Sequence, residues 1–190
     1  MFSRRYIVGI LAASAASVFL SSAPVIADTA AYESVSEATW QPGTAIPAPK
    51  GPVILRITGK IAAASNGEVA FDMAGLESLG LVRYTTPTNW TERPTTFEGV
   101  LLSRVLEAIG ADPSATTLTM VALNDYKAPV PLEDAHKWPV MLALKENGKY
   151  MSARDHGPIW VVYPQHMDAD LGNYEMSARW VWQLGAIDVQ

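Results

Sequence analysis

Apolar residues fall in short blocks along most of the chain, and each block is closed by glycine, proline or a polar cluster. Val53-Ile54-Leu55-Arg56-Ile57-Thr58-Gly59-Lys60-Ile61 is β-branched and predicts a strand. Glu68 to Met73 predicts a second strand, and Ala74 to Leu79 one or two helical turns. Leu81 to Thr85 predicts a third strand, which runs into a polar, aromatic loop at Thr86 to Phe97. Val100, Leu101, Val105, Leu106 and Ile109 recur at helical spacing, and Gly110 stops that helix. Further strands are predicted at Thr117 to Leu123, Val140 to Lys145 and Ile159 to Tyr163. A last one runs from Arg179 to about Val189, broken near Gly185. Its alternation sets Arg179 and Val181 on one face and Trp180 and Trp182 on the other, with the tryptophans towards the core. Short strands with one strong helix predict an α+β fold of mixed sheets, not a wound parallel sheet.

The chain opens differently. Met1-Phe2-Ser3-Arg4-Arg5 is followed by an apolar stretch from Tyr6 to about Leu20, then Ala23-Pro24-Val25-Ile26-Ala27. A positive n-region, a short apolar core and small residues at the −3 and −1 positions make a secretory signal, cleaved after Ala27. The apolar core is too short, and too rich in Ala and Ser, to span roughly 30 Å of hydrocarbon as an anchor. Ser3-Arg4-Arg5-Tyr6-Ile7-Val8 also matches part of the twin-arginine signal, which exports folded proteins, so either export route is open. The expected location is the periplasm. Residues 28–52 read as an extended lead-in, because Pro42, Pro47, Pro49 and Pro52 each fix φ and remove a backbone donor. One domain is expected over residues 53–190.

Charge and cysteine usage narrow the functions. Losing Arg4 and Arg5 takes the formal charge from −5 to −7, without the basic footprint that nucleic acid requires. The chain has no cysteine, so its stability comes from a core and Cys-based zinc or iron–sulfur sites are excluded. There is no Gly-x-Ser-x-Gly elbow and no phosphate-binding glycine loop. His136, His156 and His166 lack metal-ligand spacing, and no metal is expected.

Polar residues gather instead in loops at the strand ends, where a rigid scaffold usually carries binding groups. The candidates are Thr85, Thr86, Trp90 and Arg93; Asn124, Asp125 and Tyr126; Arg154, Asp155 and His156; and Arg179. Each also has a structural reading. Trp90 can cap the core, Asn124-Asp125 is a natural turn pair, and Arg154 with Asp155 makes a surface ion pair of little consequence.

In order and spacing, these segments resemble the oxidoreductase molybdopterin-binding domain, the sulfite-oxidase fold, over about Val53 to Val189. The likeness rests on Gly59-Lys60, Phe97-Glu98-Gly99-Val100-x-Leu102 opening a helix, and Ala122-Leu123-Asn124-Asp125-Tyr126. Pro131-Leu132, Asn147-Gly148-Lys149, Gly157-Pro158-Ile159-Trp160-Val161-Val162-Tyr163-Pro164 and Arg179-Trp180-Val181-Trp182-Gln183-Leu184 complete it. In family members that act on sulfite or oxidised methionine, a cysteine after the third strand binds molybdenum. Here the loop reads Tyr84-Thr85-Thr86-Pro87-Thr88, with Thr86 in that place, and a hard hydroxyl is a poor substitute for a soft thiolate.

The resemblance implies a pterin pocket without molybdenum, in which Trp90 offers a stacking face and Asn124 and Asp125 pair with the amino-pyrimidine edge. Arg93, Arg154 and Arg179 would meet a side-chain oxygen or phosphate. Short exported relatives of this kind look like pterin sensors beside an inner-membrane receptor, such as a cyclic-di-GMP enzyme or a histidine kinase. Two other readings stay open: a molybdenum-cofactor oxidoreductase with a non-cysteine or absent protein ligand, and an interaction domain whose pocket has closed.

Overall fold

The computed structural model describes residues 31–63 and 67–190. The predicted signal lies outside these residues. The elements are β1 (Glu33–Ser34), β2 (Leu55–Gly59), β3 (Glu68–Phe71), α1 (Met73–Glu77), β4 (Val82–Thr86), β5 (Thr95–Leu101) and α2 (Leu102–Ala108). They continue with β6 (Thr117–Ala122), β7 (Lys127–Pro131), α3 (Asp134–Lys137), β8 (Met141–Glu146), β9 (Lys149–Tyr150) and β10 (Trp160–Val162). A 3-10 turn (Ala169–Gly172), α4 (Tyr174–Ser177) and β11 (Leu184–Val189) close the chain. No helix among the described residues is long and apolar enough to cross a membrane.

Two sheets share these strands. One has the order β1-β4-β5-β8-β10, all antiparallel, with β9 also on β8; the other has β3-β2-β11-β6-β7, where only β11 and β2 run parallel. Buried residues of both sheets form one continuous core. This is the expected α+β architecture of mixed sheets with few short helices.

The helix expected to begin near Phe97 begins five residues later. Phe97 to Leu101 belong to β5, which pairs with both β4 and β8. The last three residues of β5, Gly99, Val100 and Leu101, are all buried, so Val100 and Leu101 joined the α2 pattern across the strand–helix junction. Gly99 is required at this place: a Cβ there would overlap the Leu142 carbonyl oxygen and lie 2.7 Å from Ala143 Cα. The last strand also starts late, at Leu184. Gln183 has φ +52°, which breaks the extended run, so the expected alternation from Arg179 fails. Trp180 and Val181 are both buried, whereas Trp182 is 37 % exposed. Strand β7, with Pro129 and Pro131, was not legible. It lies on a sheet edge, where a missing N–H costs no ladder bond.

The lead-in is a strap laid on the domain. Tyr32, Trp40 and Ile46 pack on the core, β1 extends the β4 edge, and Thr39 and Trp40 N–H donate to the Ser78 carbonyl. Its far end is held by Asp72, whose Oδ2 accepts from Lys50 N (2.8 Å) and Gly51 N (2.7 Å) while Oδ1 caps α1 at Gly75 N (2.8 Å). The Gly51, Gly75 and Lys50 amides hold the Asp72 carboxyl below its usual 3.8. A depressed carboxylate stabilises the fold above its ordinary pKa, and that contribution fades as pH falls through the lower, folded value. Asp72→Asn should therefore lower the melting temperature by a few degrees at pH 7, and in a pH series the gap from wild type should narrow only as the pH falls below 3.8. A constant gap across that series would refute the assignment.

Candidate functional site

Loops at one end of the sheets bring aromatic side chains together. Residues 87–94 form a threonine-braced loop: Thr88 Oγ1 accepts from Trp90 N (3.1 Å) and meets Thr91 Oγ1 (2.8 Å), which donates to the Arg93 carbonyl (2.9 Å). Asn89 Nδ2 donates across to the Gly172 carbonyl (2.7 Å) and to Ser177 Oγ (3.1 Å). These bonds fix the half-buried Trp90 against three other indoles. It lies 5.8 Å from Trp160, 5.5 Å from Trp180 and 5.9 Å from Trp182, at tilted or edge-on angles. Trp180 Nε1 donates to the Leu171 carbonyl (3.0 Å), and His156 is sandwiched between Trp160 (4.2 Å) and Trp182 (4.9 Å).

Between these rings and the β6–β7 turn lies a cavity of about 290 Å³, lined by Trp90, Asn124, Tyr126, Ser177, Ala178, Trp180, Val181 and Trp182. Asn124 Oδ1 accepts from Tyr126 N (3.2 Å), which leaves its amide N–H groups without a partner among the described residues. Two buried polar atoms nearby have none either: Trp160 Nε1 and His156 Nδ1, the latter 4.0 Å from Glu146 Oε2.

The sequence candidates divide accordingly. Trp90, Asn124 and Tyr126 line the cavity, and His156 backs its Trp182 wall. Asp125 is exposed at φ +64° and its N–H donates to the Ala122 carbonyl (3.0 Å), which is the work of a turn residue. Arg93 and Arg154 are exposed and line no part of the cavity. Asp155 does not pair with Arg154; it accepts from Ser152 Oγ (2.8 Å). Arg179 reaches Asp134 Oδ2 (2.7 Å), which also accepts from the Tyr163 hydroxyl (2.8 Å). Burial and then the Asp134 charge push the Tyr163 phenol far above its usual range, so it acts as a fixed donor.

Thr85 faces away, bonded to Thr96 Oγ1 (2.8 Å), beside a shallow cavity with Tyr32, Arg83 and His166. Thr86 is fully buried and its Oγ1 accepts from His166 N (3.1 Å). The hydroxyl at the expected metal-ligand position is thus engaged with the chain. It offers a hard oxygen where a soft thiolate would be needed to hold molybdenum, and it does not face open space.

The oxidoreductase molybdopterin-binding domain matches residues 56–188, well over half of the chain. The chain belongs to that family. Among solved structures, the sulfane dehydrogenase SoxCD from Paracoccus pantotrophus is similar, with TM-score 0.55 and 19% identity over 71% of this chain and 37% of that one. Identity this low establishes the sulfite-oxidase-type fold alone, and the chain spans little more than a third of that relative's length. No curated protein matches the chain. Trp160 and Trp182 were not singled out in the sequence as site residues. The available signal was tryptophan density: of six tryptophans, Trp90, Trp160, Trp180 and Trp182 meet here.

Proposed function

We propose that the protein is a periplasmic pterin-binding module that works without molybdenum and reports pterin to an inner-membrane signalling partner. The carrying observation is the indole-walled cavity beside Asn124, together with a buried Thr86 in place of a thiolate. A pterin is flat, with apolar faces and a donor–acceptor edge, which calls for aromatic walls and a few fixed polar groups. Trp90 and Trp182 supply walls, and the unpaired Asn124 amide hydrogens meet acceptors on the edge. At about 290 Å³ the cavity sits at the small end of ligand pockets, which favours a bicyclic pterin over the longer phosphate-bearing cofactor. No arginine lines it among the described residues, so a phosphate would lack a partner there. When bound, the pterin supplies the ligand signal; the chain orients it and excludes water from its faces.

Mass spectrometry of small molecules released from the protein, purified from its own host, tests this directly. A pterin mass supports the reading, and a molybdopterin mass would replace the free pterin with the full cofactor. Trp90→Ala should weaken pterin binding about ten-fold, because a stacked aromatic contributes on the order of 1–3 kcal/mol. Unchanged affinity in a fluorescence titration would remove Trp90 from the site. Family membership favours a second reading, a molybdenum oxidoreductase whose metal has no cysteine ligand. Stoichiometric molybdenum in the purified protein would establish it over the first.

A further inference from the structure

A second and larger recess lies at the other end of the β6–β7 hairpin. The turn at Asn124 opens onto the aromatic cavity; the opposite end, at Thr116 and Pro131, opens onto a groove of about 710 Å³ between α2 and α3. Six residues of β6 separate the two mouths, roughly 20 Å at the usual strand rise, so both can be filled at once. The floor is apolar: Ala115 is buried, and Ala111 and Leu132 pack half-buried against the core. Around it stand three exposed carboxylates, Glu107, Asp112 and Glu133.

No lysine or arginine lines the groove among the described residues, and His136 is its one titratable base. Lys137 and Lys60 stand outside this lining. The Lys137 amine sits over the Trp138 ring at 4.1 Å, and Lys60 adds only the weakest favourable influence on Asp112. The Ser114 hydroxyl and amide hold the Asp112 carboxyl below its ordinary pKa, so it remains ionised. A recessed, half-buried apolar floor ringed by carboxylates is complementary to one chemistry: an apolar side chain carried between cations.

We propose that this groove is a docking site for a segment of a partner protein that presents a large apolar side chain flanked by lysine or arginine. The proposal stands on the groove alone and holds whatever the aromatic cavity binds. Leu132 and its neighbours take the apolar anchor, while Glu107, Asp112 and Glu133 set orientation and speed the encounter.

A random heptapeptide display selection against the immobilised mature protein is the test. Enriched peptides should carry an aliphatic or aromatic residue next to Lys or Arg. In anisotropy titrations their affinity should fall about ten-fold in the double variant Glu107→Lys/Glu133→Lys, and fall again with added salt. Both glutamates are exposed, so the variant should fold, which circular dichroism confirms. Leu132→Arg, which fills the floor, should abolish binding without changing retention of any small molecule in the aromatic cavity. Peptides that lack cations, or that bind the charge-reversed protein equally well, would overturn the proposal. So would a concentration-dependent dimer that the double variant dissolves, which would assign the groove to a second copy of this chain.

Discussion

Asp134→Ala should destabilise the protein by about 3 kcal/mol and lower its melting temperature by roughly 6–12 °C. The carboxylate is buried and serves two donors, Tyr163 Oη and Arg179 Nη1. Tyr163 is fully buried, so without Asp134 its hydroxyl loses its acceptor in a place water cannot restore. Arg179 is 28% exposed at the side chain and partly rehydrates, which keeps the cost at the low end for a broken buried pair. Asp134→Asn retains an acceptor for Tyr163 and should lose about half as much. The effect should also reach the aromatic cavity, because Arg179 directly precedes Trp180 and ties that segment to α3. A melting temperature within 2 °C of wild type would mean the triad is ornamental.

The same triad shows where sequence reasoning stops. Arg179 was legible as a cation at the head of the last apolar run, with a ligand role only through the family resemblance, and Asp134 gave no signal because its partner is 45 residues away. Elements whose pattern is local were read to within a residue or two: β2, β3, α1, β4, β6, β8 and β10 each carry their own period and punctuation. Phe97 to Leu101 was misread because its buried end, Gly99 to Leu101, runs without alternation into the apolar positions of the helix that follows. Arg179 to Gln183 was misread because a single left-handed residue ends an apparently regular run. For the site, Trp90, Asn124, Tyr126 and His156 were legible as polar or aromatic loop residues, and the fold brings them together. Asp125, Arg93, Arg154 and Asp155 carry the same signature, yet the structure spends them on turns and solvent. Composition cannot separate these two groups, since only tertiary placement decides which loop faces inwards.

Trp160 is the residue on which the cavity walls lean. It is fully buried, with His156 stacked at 4.2 Å, Phe97 edge-on at 5.3 Å, and Trp90 and Trp182 at 5.8 and 6.4 Å. Truncation to alanine removes an indole from the centre of that cluster, and should cost about 3–5 kcal/mol. The neighbouring rings would then close into the space, so under the proposed function Trp160→Ala should also reduce pterin binding more than ten-fold. Trp160→Phe separates the two roles of the side chain. It keeps a ring for His156 and Phe97 to pack against, and it removes an indole N–H that has no partner among the described residues, whose burial costs about 1–3 kcal/mol. That relief offsets the lost ring area, so the phenylalanine variant should melt within about 3 °C of wild type. Because Trp160 stands behind the lining residues, its affinity should change less than three-fold. Thermal melts and fluorescence titrations on the two variants check both statements. Full affinity in Trp160→Ala would show that the ligand sits elsewhere, whereas lost affinity at unchanged stability in Trp160→Phe would make the indole N–H a ligand contact.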